Sequence, residues 1–401
     1  MCFCFDWQNY IKIATCATTD LFYVKKMFSV SFARLSICRN FAVMKRSVYW
    51  FNPGNDLALA HGGVGYTAPP HARAMQRDLQ LLPAWLAAPG DMVIADDRRW
   101  QRWLDEHGLD VTVVTAADLP GLTDVAYRPW GWSVDARHAL LKMGARPELL
   151  PSDAELCRWR DLAHRRTTIA MHRLITAELG TLWPEPVELG TLDAVLAWAH
   201  EHAGGYVKEP WSGSGRGVYR ALDADGNDFV QRMRGALQRQ GSLLCETALD
   251  RVMDFAVEFR CDDEGLRVTG YSVFQSDFHL QYNGGTVASA QQLHDMITAR
   301  YPRLDMVVDA VGRALDRCIT PYYNGDIGVD MLLHRDGDSV GIDACVEVNL
   351  RTTMGMVAGA LGERHGMRGR FMIQRTPCLD GTALTPIEGS TTHCAVLYPD
   401  L

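Results

Sequence analysis

The stretch Cys345-Val346-Glu347-Val348-Asn349-Leu350-Arg351 decides how this sequence is interpreted. Side chains alternate between the two faces of a β-strand, so Glu347, Asn349 and Arg351 are expected on one face. A second strand-like run, Gly328-Val329-Asp330-Met331-Leu332-Leu333, precedes it. Both runs embed acids among apolar residues, where an unpaired carboxylate is costly. The pattern therefore predicts a β-hairpin that carries a polar site.

The hairpin offers hard oxygen ligands for a metal ion. Asp330, Glu347 and Asn349 would supply two carboxylates and an amide oxygen, a set that suits Mg²⁺ beside phosphate groups. The strand register stays open at this point. A two-residue turn at Asp336-Gly337 would set Glu347 opposite Asp326, whereas a longer loop would bring it nearer Asp330. The alternative interpretation is a solvated strand face that bears acids.

A glycine-rich loop lies upstream, in Gly205-Tyr206-Val207-Lys208-Glu209-Pro210-Trp211-Ser212-Gly213-Ser214-Gly215-Arg216-Gly217-Val218. Glycines at every second position let backbone N–H groups approach a phosphate without a side chain in the way. Lys208 would add a positive charge. The spacing matches neither a Walker loop nor a Rossmann fingerprint. The loop predicts phosphate binding, and the alternative is a surface loop that closes a hairpin.

In this order, the two motifs resemble the ATP-grasp superfamily, over roughly residues 150–360. Lys208 and its loop are similar to the lysine strand and flexible phosphate loop of that family. Leu244-Cys245-Glu246-Thr247-Ala248-Leu249 is similar to the strand that holds adenine, and Asp254 is similar to the acid on the ribose hydroxyls. The resemblance implies these nucleotide-binding residues: Lys208, Ser212, Gly213, Ser214, Gly215, Gly217, Glu246, Thr247, Leu249 and Asp254.

The resemblance also implies a metal site and a catalytic pair. Asp330, Glu347 and Asn349 would bind Mg²⁺, with Mn²⁺ as an alternative ion. The stretch from Glu347 to Arg351 is close to the Glu-x-Asn-x-Arg form of biotin-carboxylase-like members, in which Arg351 would face the substrate or the acyl phosphate. Lys208 and Arg351 are the implied catalytic residues.

Two features depart from the family pattern. The family has an earlier second lysine on the phosphates, but the corresponding helix here carries only arginines: Arg158, Arg160, Arg165 and Arg166. In addition, Gly328 stands where the D-alanine-ligase-like branch has an arginine, which disfavours a dipeptide ligase.

The stretch Phe51-Asn52-Pro53-Gly54-Asn55-Asp56-Leu57-Ala58-Leu59-Ala60 is similar to a group of bacterial ATP-grasp proteins.

The expected fold class is α/β, an α+β ATP-grasp fold. Residues 1–43 are expected to form an extension of unknown role, and residues 44–150 an α/β lobe ahead of the ATP-grasp domain. The ATP-grasp domain would span residues 151–401, with a small subdomain at about 165–245 and a magnesium-site subdomain at about 246–401. These two subdomains would hold ATP between them. A capping box at Ser152 and Glu155 predicts a helix that continues through Arg165 to Ile169.

Composition limits the classes of partner. The 401 residues are 47% apolar and 22% charged, with a net charge of −8. This excludes a general basic field for nucleic acid, and no apolar run reaches the ~18 residues of a membrane helix. Eleven cysteines without a CxxC pair predict neither a zinc site nor a disulfide framework. We therefore expect a cytoplasmic protein without nucleic-acid or membrane partners, and a homo-oligomer is left open.

The resemblance implies an ATP-dependent carboxylate–amine ligase acting on small molecules. A substrate carboxylate would attack the γ-phosphate of ATP, with Mg²⁺ and Lys208 countering the charge, and an amine would then displace phosphate from the acyl phosphate. Two alternatives remain at this stage. One is a phosphotransferase on the same fold, and the other is a nucleotide-binding regulator without turnover.

Overall fold

The computed structural model describes residues 45–213, 215–222, 224–276, 282–375 and 380–399. Its first lobe is built on four short parallel strands: β1 (Arg46–Trp50), β2 (Met92–Ile94), β3 (Thr112–Val114) and β4 (Val125–Pro129). They lie in the order β3-β2-β1-β4. Parallel neighbours need crossover connections. Helices provide two of these: α1 (Asn55–His61) and α2 (Pro70–Asp78) lie between β1 and β2, and α3 (Trp100–Glu106) lies between β2 and β3, whereas α4 (Val134–Lys142) follows β4.

The helix that begins at Ser152 starts as predicted and ends early. Ser152 and Glu155 form the capping box at the start of α5 (Asp153–Leu162). The prediction of one helix through Ile169 is wrong, because α6 (Thr167–Leu179) begins separately. Between the two helices, the backbone N–H of Arg165 donates a hydrogen bond to the carbonyl of Pro210 at 3.1 Å. Tertiary contact with the glycine-rich segment thus replaces the helical hydrogen bond.

A second lobe is a small antiparallel sheet. Its strands, in spatial order, are β5 (Val187–Leu189), β8 (Leu243–Glu246), β6 (Tyr206–Lys208) and β7 (Val218–Arg220). Two helices accompany it, α7 (Leu192–Glu201) and α8 (Asn227–Gln240). Val195, Val207 and Met233 are fully buried in the shared core. This layer forms because each helix presents an apolar face, which packs against the apolar side of the sheet.

An eight-stranded antiparallel sheet forms the largest part of the fold. Its strands, in spatial order, are β13 (Ser339–Asn349), β12 (Gly325–Asp336), β9 (Arg251–Asp262), β10 (Gly265–Ser276), β11 (Tyr282–Val287), β14 (Gly369–Arg375), β16 (His393–Tyr398) and β15 (Thr382–Ala383). The accompanying helices are α9 (Ala290–Thr298), α10 (Leu304–Cys318) and α11 (Met354–Glu363). Phe255, Phe259 and Leu315 lie in its main core.

Short 3₁₀ segments complete the described structure at Leu82–Trp85, Leu119–Gly121 and Pro147–Leu149. The predicted α/β fold class is confirmed, with a parallel lobe followed by antiparallel sheets. In the described ranges no helix has the length and apolar character needed to cross a membrane. Cys394 is disulfide-bonded, which the sequence did not predict. The proposed extension over residues 1–43 lies outside the described residues.

Candidate functional site

A cavity between the small sheet and the large sheet collects most of the predicted site residues. It encloses about 1300 Å³ of atom-free space, including the part open to solvent. The predicted residues that line it are Lys208, Gly215, Glu246, Thr247, Leu249, Asp254, Asp330, Glu347, Asn349 and Arg351. Residues far apart in sequence thus share one cleft.

The observed strand register brings the two hairpin acids together. The two-residue turn consists of Gly337 and Asp338, because Asp336 pairs with Ser339. A bulge then shifts the register, so that Asp330 lies directly opposite Glu347. Of the two arrangements that the sequence left open, the structure has the one with these acids adjacent. The loop is not longer than two residues; the turn lies one residue further along the chain than Asp336-Gly337, which moves the partner of Glu347 by two positions, and the bulge moves it by two more.

Asp330 is half-buried in the cavity wall, and a neighbouring negative charge acts on its carboxylate. Its burial and the adjacent charge of Glu347 raise the pKa of Asp330, while Arg351 and a hydrogen bond from Asn349 oppose the shift. A divalent cation would relieve the repulsion between the two carboxylates. No group of three or more His, Cys, Asp or Glu side chains arranged for a metal occurs in the described ranges. Two acids and an amide nevertheless suit Mg²⁺, which also takes phosphate oxygens and water.

The sequence offered four arginines in place of the family's earlier lysine and did not distinguish among them. Arg165 is the one of these that lies in the cavity wall. Its guanidinium forms an ion pair with Glu347 at 2.9 Å and is almost fully buried. The same group donates hydrogen bonds to the carbonyl of Glu209 at 3.1 Å and to Ser212 at 3.2 Å. Of the four candidate arginines, Arg165 alone lines the cavity among the described residues. It connects the glycine-rich segment to the acidic hairpin.

Lys208 enters the cavity from β6 and is held by an acid of the neighbouring strand. Its ammonium forms a short ion pair with Glu246, and both side chains are largely buried. The second carboxylate oxygen of Glu246 is buried without a hydrogen-bond partner. A phosphate at Lys208 would therefore compete with Glu246 for the same ammonium group.

The segment that follows β8 forms another part of the cavity wall. Thr247 and Leu249 lie just beyond the end of the strand and line the cavity. Asp254 on β9 also lines the cavity and forms an ion pair with Arg251. A flat ring could bind along this segment, and the carboxylate of Asp254 would then lie at its far end.

The glycine-rich loop contributes less directly to the cavity than expected. Gly215 lines the cavity, whereas Ser212 is buried against Arg165. Gly213 lies against the first lobe, because a Cβ there would be 2.0 Å from a carboxylate oxygen of Asp56. Gly217 has a positive φ of 68° and closes the loop. Ser214 lies outside the described residues.

The first lobe holds Arg351 in place. Asp56 accepts a hydrogen bond from Arg351 Nε at 3.0 Å. The side chain of Asn52 exchanges hydrogen bonds with the backbone of Gly131, at 2.9 and 3.2 Å. Gly131 in turn forms an isolated β-bridge with Arg351. The turn after β1 thus positions the arginine of the acidic hairpin.

Sequence reasoning did not identify several cavity residues. Glu258 is buried, and burial raises its pKa to about 8. Asp343 is also buried, and burial raises its pKa to about 7. Ser272 and Thr353 also line the cavity. The period-two pattern that runs from Asp254 along β9 could have identified Glu258.

No family model matches the chain, and no curated protein matches its sequence significantly. Solved structures resemble its fold. The biotin carboxylase domain of Hydrogenobacter thermophilus 2-oxoglutarate carboxylase, in complex with MgADP, ADP and bicarbonate, is 13% identical, with a TM-score of 0.48 over 88% of this chain and 86% of that chain. Staphylococcus aureus N5-carboxyaminoimidazole synthetase, complexed with ADP, is 11% identical, with a TM-score of 0.42 over 90% of this chain and 96% of that chain.

A third structure comes from Archaeoglobus fulgidus and is provisionally described as an ATP-grasp superfamily protein. It is 13% identical, with a TM-score of 0.44 over 88% of this chain and 100% of that chain. At such low identities and TM-scores, these likenesses assign no substrate to this chain.

Proposed function

We propose that this protein is an ATP-grasp enzyme that binds Mg-ATP and activates a small-molecule carboxylate for attack by an amine. One observation carries the proposal. Lys208, the segment after β8 and the acidic hairpin surround one cavity, although up to 140 residues separate them in sequence. A metal-bound nucleotide requires a cationic side chain, paired acids nearby and an apolar wall.

The nucleotide is proposed to lie along the cavity with its base against Glu246, Thr247 and Leu249. Its phosphates would extend toward Lys208 and Arg165, which carry the positive charge on that side. Asp330, Glu347 and Asn349 would hold Mg²⁺, which supplies charge neutralisation at the phosphate oxygens. Asp254 would accept hydrogen bonds from ribose hydroxyls.

The reaction is proposed to have two stages. A carboxylate oxygen attacks the γ-phosphorus, the bond to the β-phosphate oxygen breaks, and ADP and an acyl phosphate form. The amine, in its neutral form after loss of a proton to solvent, then attacks the acyl carbon; inorganic phosphate leaves, and the nitrogen loses a second proton as the amide forms. Lys208 must exchange Glu246 for phosphate when the nucleotide binds. Arg351, held by Asp56, would orient the carboxylate or the acyl phosphate.

Trapping with hydroxylamine tests the ligase reaction. Purified protein with Mg-ATP is incubated with pools of small carboxylates, and hydroxamate and ADP are measured together. The proposal predicts hydroxamate in at least one pool, in an amount that matches the ADP formed. ADP without hydroxamate, together with a new phosphate ester, would instead support the phosphotransferase.

A further inference from the structure

One carboxyl group in the cavity is not used by the proposed nucleotide site. Glu258 on β9 is only 3% exposed and lines the cavity. One of its oxygens, Oε1, accepts hydrogen bonds from Thr353 Oγ1 at 2.9 Å and from Ser272 Oγ at 3.2 Å. The other oxygen, Oε2, is buried without a partner.

The surrounding backbone leaves room for this carboxyl group. A Cβ at Gly355 would lie 2.4 Å from Glu258 Oε1, and a Cβ at Gly328 would lie 2.9 Å from Oε2. Any larger residue at either position would displace the carboxyl group. Two glycines and two hydroxyl groups thus hold Glu258 in one place, although burial of an acid is costly.

The charges near Glu258 do not favour its ionised form. In the described part of the chain, no Lys, Arg or His side chain forms an ion pair with Glu258. The charges of Asp330 and Asp326 act on it in the same unfavourable direction as burial. A ligand that donates a hydrogen bond and carries positive charge would satisfy Oε2 and relieve this field.

We infer that Glu258, with Ser272, Tyr282 and Thr353, forms a subsite for the amino group of the second substrate. This inference rests on the proposed ligase function and names the chemical class of its nucleophile, a primary amine that enters as an ammonium group. The phenol oxygen of Tyr282 is also buried without a partner and lines the same cavity. It offers an additional hydrogen-bonding group to the amine or to the carbon skeleton next to it.

Three probes with one carbon skeleton test the class of ligand. Butylammonium, butyrate and butan-1-ol are titrated into the full chain by ligand-observed NMR, with Mg²⁺ and a non-hydrolysable ATP analogue present and again without them. The inference predicts that butylammonium binds at least tenfold more tightly than the other two probes. Equal binding of all three, or a preference for butyrate, would overturn it.

Substitutions test whether Glu258 causes the preference for butylammonium. Glu258→Gln keeps the shape but removes the charge, and it should weaken butylammonium binding at least tenfold. The matched control, Glu264→Gln, changes an exposed glutamate on the same hairpin and should leave binding within twofold. If Glu258→Gln does not fold, Gly355→Ala displaces the carboxyl group and should give the same loss. Unchanged binding in the folded variant would refute the subsite.

The two proposals fail separately in this experiment. If the ATP analogue does not bind to the wild-type protein, the proposed function is wrong, and the titration without nucleotide still reports the amine preference. If the analogue binds but butylammonium shows no preference for this site, the nucleotide site stands and the amine subsite is wrong.

Discussion

Replacing Glu347 by Gln separates the magnesium role of this residue from its structural role. In the free protein, Glu347 forms an ion pair with Arg165 at 2.9 Å. A glutamine oxygen can still face the guanidinium, and Arg165 keeps its hydrogen bonds to Glu209 and Ser212, so the expected loss is about 1 kcal/mol. The removal of repulsion with Asp330 offsets part of that loss. Free-protein stability should therefore fall by about 1 kcal/mol or less.

The effect on metal-dependent binding should be larger. Removing one of two carboxylate ligands should reduce the gain in nucleotide affinity from Mg²⁺ at least tenfold, or about 1.4 kcal/mol. Isothermal titration calorimetry with a non-hydrolysable ATP analogue, in Mg²⁺ and in EDTA, measures this gain directly. The affinity in EDTA should change little. A Glu347→Gln protein that keeps the full wild-type gain would refute the metal assignment.

Three further predictions concern other residues of the site. Arg165→Gln should lower the free energy of unfolding by roughly 2–3 kcal/mol in urea, because it breaks a buried ion pair; a loss below about 0.5 kcal/mol would contradict this. Gly213→Ala should destabilise the protein by about 1–3 kcal/mol, because its Cβ would lie 2.0 Å from Asp56, whereas Gly63→Ala, in open space, should be neutral. Burial raises the pKa of Glu258 from 4.5 to about 8, so its contribution to stability is full below pH 4.5 and is lost as the pH rises to 8. The loss of unfolding free energy due to Glu258 amounts to at most about 5 kcal/mol, and Glu258→Gln should reduce it. Urea titrations of the free protein from pH 5 to 8 measure this loss; an unchanged dependence on pH would show that this carboxyl group is not its cause.

The sequence predicted the strands of the site better than their relative positions. The alternation around Glu347 indicates which side chains share a face, because the period of a strand is local. The partner of Glu347 could not be predicted, since a turn at Gly337 and Asp338 and a bulge near Asp330 set the register. Turn position and bulges depend on contacts across the whole sheet.

Arg165 and Glu258 show two different limits of the sequence-based predictions: Arg165 was a candidate with the wrong local structure, and Glu258 was not identified. Arg165 was placed inside a continuous helix, but contact with the carbonyl of Pro210 interrupts the helix there. No local pattern in the sequence records that contact. Glu258 could have been found, because it lies four residues after Asp254 on the same strand face. The sequence could not show that, among the residues that the structure describes, no basic side chain forms an ion pair with Glu258.

The proposed function requires that the cavity bind Mg-ATP through Lys208 and the acidic hairpin. Isothermal titration calorimetry of the wild-type protein and Lys208→Ala with a non-hydrolysable ATP analogue, with and without Mg²⁺, measures this binding. We expect binding that strengthens with Mg²⁺ and weakens at least tenfold in Lys208→Ala. If the wild-type protein binds no analogue under either condition, the cavity is not a nucleotide site.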